Sequence, residues 1–257
     1  MIADSKKNFD YQMFVLNTKH IDSVSISKKG VTRRENQDRS LIKTLPEDTV
    51  IAAIADGIGG ESAGYVAAQM AISSIEELQT IQQNNEIISL KALFKKSDEE
   101  ILKASTKNPA YENMGTTLIA VFIKKQKAYW IHAGDSRLFL LRKNKLKQIT
   151  QDHTLAKFLL DEGEITKKEL KTHYSRHILD QCVGHGECEP DTGSVSLKKN
   201  DLLILSTDGL HKTLHHNEIE IILNADAKNK IKAERLLRKT IEAKGNDDIT
   251  IMILDIL

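Results

Sequence analysis

Five acidic sites in the chain recur where strand-like runs begin or stop. Ile51-Ala52-Ala53-Ile54-Ala55 ends in Asp56-Gly57, and Leu202-Leu203-Ile204-Leu205-Ser206 reaches Asp208-Gly209 after one threonine. Asp38 closes Asn36-Gln37-Asp38, Asp135 follows Ile131-His132-Ala133-Gly134, and Asp247-Asp248 precedes Ile249-Thr250-Ile251-Met252-Ile253. A single Asp-Gly after a strand is most simply a tight turn, in which glycine accepts positive φ and aspartate bonds its own backbone. Repetition favours chemistry instead. If sheets bring these ends to one edge, the carboxylates repel one another unless cations neutralise them. Oxygen-only ligands select hard ions, magnesium or manganese rather than zinc, and the missing side chain of Gly57 would let its carbonyl approach one. A pair of ions about 3.5–4 Å apart suits in-line displacement at phosphorus, because it acidifies a bridging water and absorbs phosphoryl charge. Arg33, five residues before Asp38, is the natural group to orient a phosphate, since guanidinium grips its oxygens bidentately. Taken alone, Arg33 reads as a solvated strand-end charge.

Positioning such residues requires sheets. Strand-like runs rich in β-branched residues occupy 21–27, 49–55, 116–123, 128–133, 137–141, 202–206 and 249–254. Helical stripes mark 62–83 and 86–104, and a third helix is expected over 229–243. Strands cluster rather than alternate with helices, which predicts an α+β fold of mainly antiparallel sheets and not a doubly wound parallel sheet. Segment 154–191 has weak periodicity, holds His173, His177 and His185, and reads as a surface insertion.

The 257 residues carry 37 Lys+Arg against 36 Asp+Glu. That balance supplies no long-range field for nucleic acid or an anionic membrane, so recognition of phosphate must be local. Cys182 and Cys188 are too few for a disulfide framework, which suits a reducing compartment, the cytoplasm. The N-terminal stretch 1–20 has no apolar run of signal-peptide length, and no run approaches a membrane span. With no repeat or linker composition, residues 1–257 are expected to form a single domain with the insertion at about 154–191.

Gly30-x-x-Arg33-x-x-Asn36-Gln37-Asp38, Ala55-Asp56-Gly57-Ile58-Gly59-Gly60, Met114-Gly115-Thr116-Thr117, His132-Ala133-Gly134-Asp135-Ser136-Arg137, Thr150-Gln151-Asp152-His153, Ser206-Thr207-Asp208-Gly209 and Gly245-x-Asp247-x-Ile249-Thr250 together form an ordered series. It resembles the motif series of the protein phosphatase 2C family, bacterial type, over about 30 to 250. The resemblance implies a four-layer αββα sandwich of two mainly antiparallel sheets flanked by helices. It implies a metal-dependent serine/threonine protein phosphatase in which two manganese or magnesium ions activate a bridging water. Asp56 would bridge the ions with the Gly57 carbonyl on one of them, Asp208 and Asp247 would ligate the other, and Asp38 would hold metal-bound waters. Arg33 would grip the substrate phosphate, Asp135 matches the site of a third, weaker ion, and 154–191 corresponds to a flap. The implied partner is a phosphorylated protein, a serine/threonine kinase or its targets, acted on by a cytoplasmic monomer.

Three positions depart from the pattern. Asp247-Asp248 stands where the family commonly has Asp-Asn, and Asp247 is taken as the ligand, with Asp248→Asn expected to be mild. Ile58 replaces a histidine that serves as general acid in eukaryotic members, leaving protonation of the leaving group to water. Lys212 stands four residues after Asp208, where some relatives have a further Asp for the third ion.

Other constellations are weaker. His211-Lys212-Thr213-Leu214-His215 has the spacing of a helical metal pair but lacks the glutamate a zinc protease needs. The His and Cys residues of 154–191 could form a zinc site but read as a free, solvated set. The glycines after Asp56 fit neither dinucleotide nor P-loop spacing, and no Gly-x-Ser-x-Gly elbow exists. Two rivals remain: a phosphatase-like scaffold that binds phosphoproteins without turnover, and a phosphatase of a small partner-switching regulator.

Overall fold

The computed structural model describes residues 11–60 and 62–257. Residues 1–10, part of the stretch read as lacking a leader, and Glu61 of the glycine-rich run lie outside the described residues. The strands are β1 (Gln12–Asn17), β2 (Ile21–Lys28), β3 (Asp38–Leu45), β4 (Thr49–Ile58), β5 (Gly115–Thr116), β6 (Leu118–Lys124), β7 (Lys127–Ala133), β8 (Arg137–Arg142), β9 (Lys145–Gln148), β10 (Asp191–Ser196), β11 (Leu202–Ser206) and β12 (Ile249–Ile256). The helices are α1 (Ala63–Glu76), α2 (Glu86–Lys107), α3 (Leu155–Asp161), α4 (Lys167–Leu170), α5 (Asp208–His211), α6 (His216–Asn224) and α7 (Asn229–Glu242).

One antiparallel sheet runs β1-β2-β12-β11-β8-β9; the other runs β10-β7-β6-β4-β3, with β5 paired to β4. Period-2 alternation sorts each central strand between two cores. Along β4, Val50, Ala52 and Ile54 face the layer between the sheets, while Ile51, Ala53 and Ala55 face α1 and α2. Along β12, Met252 and Leu254 join the inter-sheet layer, and Ile249, Ile251 and Ile253 pack with Ala233, Leu236 and Leu237 of α7. The result is the α+β sandwich implied by the motif series, helix on sheet on sheet on helix. The small face of α1, Ala63, Gly64, Ala67, Ala68 and Ala71, lets that helix lie close on β4.

Helix α1 stops at Glu76, short of the expected 83. Leu78 and Ile81 continue the apolar pattern and still pack on the same core, but Lys43 of β3 donates its ammonium to the carbonyls of Glu76 and Leu78 and ends the helix there. Among the described residues no helix is long and apolar enough to cross a membrane.

Candidate active site

The register of one strand pair brings the first two carboxylates together: Asp38 at the start of β3 stands directly opposite Asp56 near the end of β4. The Asp56 backbone is clamped by the next strand. Its carbonyl accepts from Thr117 N–H (2.8 Å) and the Thr116 hydroxyl (2.9 Å), and its N–H donates to Thr117 Oγ1 (3.0 Å). Asp38 joins the two sheets, because Thr207, between β11 and α5, donates its hydroxyl to Asp38 Oδ2 (2.8 Å) and accepts Thr250 N–H of β12 (2.9 Å). Asp208 follows as the first residue of α5.

Gly57 has a packing reason to be glycine besides the one read from sequence. A Cβ there would lie 2.0 Å from the Gly64 carbonyl oxygen, where α1 crosses β4. Both partners are backbone, so neither can yield. Gly57→Ala is expected to destabilise the fold by about 3 kcal/mol or more, measured as the urea midpoint with chelator present.

The loop between β2 and β3 carries Arg33, and Asp247 and Asp248 hold it in place. Arg33 Nε and Nη2 both reach Asp247 Oδ1, at 2.9 and 2.5 Å. Asp248 is only 3 % exposed, and its two oxygens accept Gly30 N–H and Gln37 N–H, each at 2.8 Å. The adjacent acids therefore differ: Asp247 is open and faces the arginine, whereas Asp248 is an internal clamp on both ends of the loop. This revises the expectation that Asp248→Asn is mild. An amide cannot accept both bonds, so one buried N–H loses its partner at a cost of about 1–3 kcal/mol. The variant should show a lowered urea midpoint together with a raised KM, since the loosened loop is the one that carries Arg33.

Electrostatics tie the set together. Burial, then the charges of Asp38, Asp208, Asp135 and Asp247, push the Asp56 carboxyl well above the usual carboxylate range. Burial also raises Asp38, and burial with Asp135 raises Asp208. Buried Asp38 Oδ1 and Asp208 Oδ1 have no hydrogen-bond partner. Buried acceptors without donors, within a mutually repelling set, are what a hard cation satisfies, so these residues fit divalent ions. Among the described residues no three His, Cys, Asp or Glu side chains close a metal-ligating group by themselves. The acids are drawn instead to cationic side chains, Asp247 to Arg33 and both Asp135 and Asp208 to Lys212 at 2.7 and 2.5 Å. Burial pulls the Lys212 ammonium down, but Asp208 and Asp135 outweigh it and hold its pKa above the ordinary lysine value.

Two histidines lie behind the acids. His132 is fully buried with neither ring nitrogen bonded, and burial with neighbouring His153 holds its pKa at about 3. His211 shares a hydrogen with Ser206 Oγ at 3.0 Å and ends α5, while His215 caps α6, so the two do not share the single helix that a helical metal pair needs.

Segment 154–191 links β9 to β10 through α3, α4 and a helical turn at Tyr174–His177. Burial, then Lys212 and Arg176, lower the His177 pKa, with Asp208 opposing them; that turn is within electrostatic reach of the site. The end of the segment is not a surface element. Val183 is fully buried and exchanges both backbone bonds with Thr116 at 2.9 Å. Asp98 Oδ1 of α2 accepts Gly184, His185 and Gly186 N–H. Cys182 and Cys188 are half-buried rather than solvated, and burial with Asp98 pushes their thiols up to about 11 and about 12.

Residues 31–246 match the family model of Protein phosphatase 2C. The chain belongs to the protein phosphatase 2C family. It is accordingly a metal-dependent serine/threonine protein phosphatase. It is 32% identical over 232 residues to Protein phosphatase PhpP of Streptococcus pneumoniae, covering 88% of this chain and 93% of the relative. The Mycobacterium tuberculosis serine/threonine phosphatase PstP/Ppp superposes with a TM-score of 0.85 at 29% identity, covering 92% of this chain and 99% of that one. A PstP catalytic domain solved with two manganese ions superposes at 0.82 with 28% identity, covering 93% and 99%. In this phosphatase the residues that sequence reasoning left without a role are Thr116, Thr117 and Thr207. All three stand inside the quoted motifs, and their hydroxyls bond the Asp56 backbone and the Asp38 carboxylate.

Proposed function

We propose that this phosphatase hydrolyses phosphoserine and phosphothreonine in protein substrates using two manganese or magnesium ions. Asp38, Asp56, Asp208, Asp247 and the Gly57 carbonyl would hold them. The observation that carries this reading is the facing pair Asp38 and Asp56, joined by Asp208, with buried carboxylate oxygens left without donors. The relative solved with two manganese ions supports the same count. When bound, such ions supply positive charge to the phosphoryl oxygens and acidify a water for in-line attack.

The chain's own groups do the rest. Asp56 and Asp38 are pre-set by the Thr116-Thr117 clamp and by Thr207, so little reorganisation is needed during reaction. Arg33 is poised at the rim, its guanidinium half-exposed against Asp247, and it would turn its fork to two oxygens of the incoming phosphate. Ile58 offers no exchangeable proton, so water would have to protonate the leaving serine or threonine oxygen. The substrates would be a serine/threonine kinase or its targets, met by a monomer in the cytoplasm. Phosphate release from a phosphothreonine peptide should require manganese or magnesium, stop with excess chelator and return on adding back the ion. Turnover independent of metal would contradict the reading.

A further inference from the structure

Among the described residues, Asp38, Asp56, Asp135, Asp208 and Asp247 meet at this site, and Arg33 and Lys212 are ion-paired to members of the set. Arg33 stands at the rim, where a substrate phosphate can draw it away. Lys212 is placed differently. Its Nζ lies between Asp135 Oδ2 (2.7 Å) and Asp208 Oδ2 (2.5 Å), and those side chains are 5% and 13% exposed. Asp208 and Lys212 are four residues apart across α5, with the acid N-terminal, the favoured order for such a pair. The Lys212 backbone N–H also donates to the Asp208 carbonyl at 2.8 Å, so the residue is held at its main chain as well as at its ammonium. Asp208 Oδ2 is taken by the lysine while Oδ1 is left without a partner.

We infer that Lys212 is a resident counter-ion: its ammonium fills the notch between Asp135 and Asp208 where a further divalent cation would otherwise bind, and it turns Asp208 Oδ1 toward the main pair. The inference rests on the proposed reading that Asp38, Asp56, Asp208 and Asp247 hold ions. Two largely buried carboxylates this close together must find a positive charge, and a tethered ammonium provides it at no cost in ion binding. Asp135 then serves as the partner of Lys212 and not as a metal ligand.

The test counts manganese bound per chain by equilibrium dialysis of the 257-residue protein. The native chain and Lys212→Arg should bind two ions, Lys212→Met should bind one more, and Lys212→Met combined with Asp135→Asn should return to two. Without metal, Lys212→Met should melt below the native chain and regain that loss with manganese. Asp135→Asn alone, which keeps the lysine, should still bind two ions, and this arm serves if Lys212→Met does not fold. An unchanged count in Lys212→Met, three ions in the native chain, or loss of an ion in Asp135→Asn overturns the inference while leaving the two-ion reading in place. No ion in any variant overturns both.

Discussion

Replacing Asp56 with asparagine is expected to lower kcat/KM by more than about 100-fold and, in the absence of metal, to raise the melting temperature. The two effects have one cause. A residue that only orients a metal ligand is worth about 10–100-fold, and Asp56 is proposed as a ligand of both ions, so its loss should exceed that range. Yet Asp56 is also the acid on which the charges of Asp38, Asp208, Asp135 and Asp247 converge. Removing one of several mutually repelling, partly desolvated carboxylates stabilises the metal-free fold by about 1 kcal/mol or more, about 2–4 °C in a chain of this size. The Thr116-Thr117 clamp acts on the Asp56 backbone and survives the substitution. Steady-state kinetics with manganese and thermal melting with chelator read the two effects separately. A variant that stays active, or that melts lower than the native chain, contradicts the assignment.

Arg33→Ala is expected to reduce kcat/KM by roughly 10- to 100-fold, chiefly through KM. Hydrogen bonds to charged groups contribute about 1.5–3 kcal/mol, and each 1.4 kcal/mol is tenfold. Arg33→Lys should recover little, because a point ammonium cannot reproduce the two-pronged grip on phosphate. The variant should bind manganese undiminished, since removing the guanidinium frees Asp247 Oδ1. If Arg33→Ala instead lowered manganese binding with KM unchanged, the residue would be positioning Asp247 rather than holding substrate.

The central strands were legible from sequence because they are apolar on both faces; β4, β6, β11 and β12 each feed two cores. The edge strands were not. In β3 the adjacent apolar pair Leu41 and Ile42 breaks no rule in space, since Leu41 packs toward α1 and Ile42 toward the inter-sheet layer. Preceded by Arg39-Ser40 and followed by Lys43, that pair carries too little signal in sequence. The edge strand β10, Asp191–Ser196, is half-exposed and holds a glycine, so it reads as loop. At the site, the acids and Arg33 were legible as an ordered series. The distinction between Asp247 and Asp248 was not, because neighbouring residues of one type differ only in which way the backbone turns them. Lys212 was visible as a departure, but its link to Asp135 joins residues 77 apart in the chain, a contact that only the packing of α5 against the turn after β7 creates.

The most direct measurement is an anomalous difference map from crystals of this protein grown with manganese. Two peaks enclosed by Asp38, Asp56, Asp208, Asp247 and the Gly57 carbonyl are predicted, and a map with no peak among those residues would contradict the account.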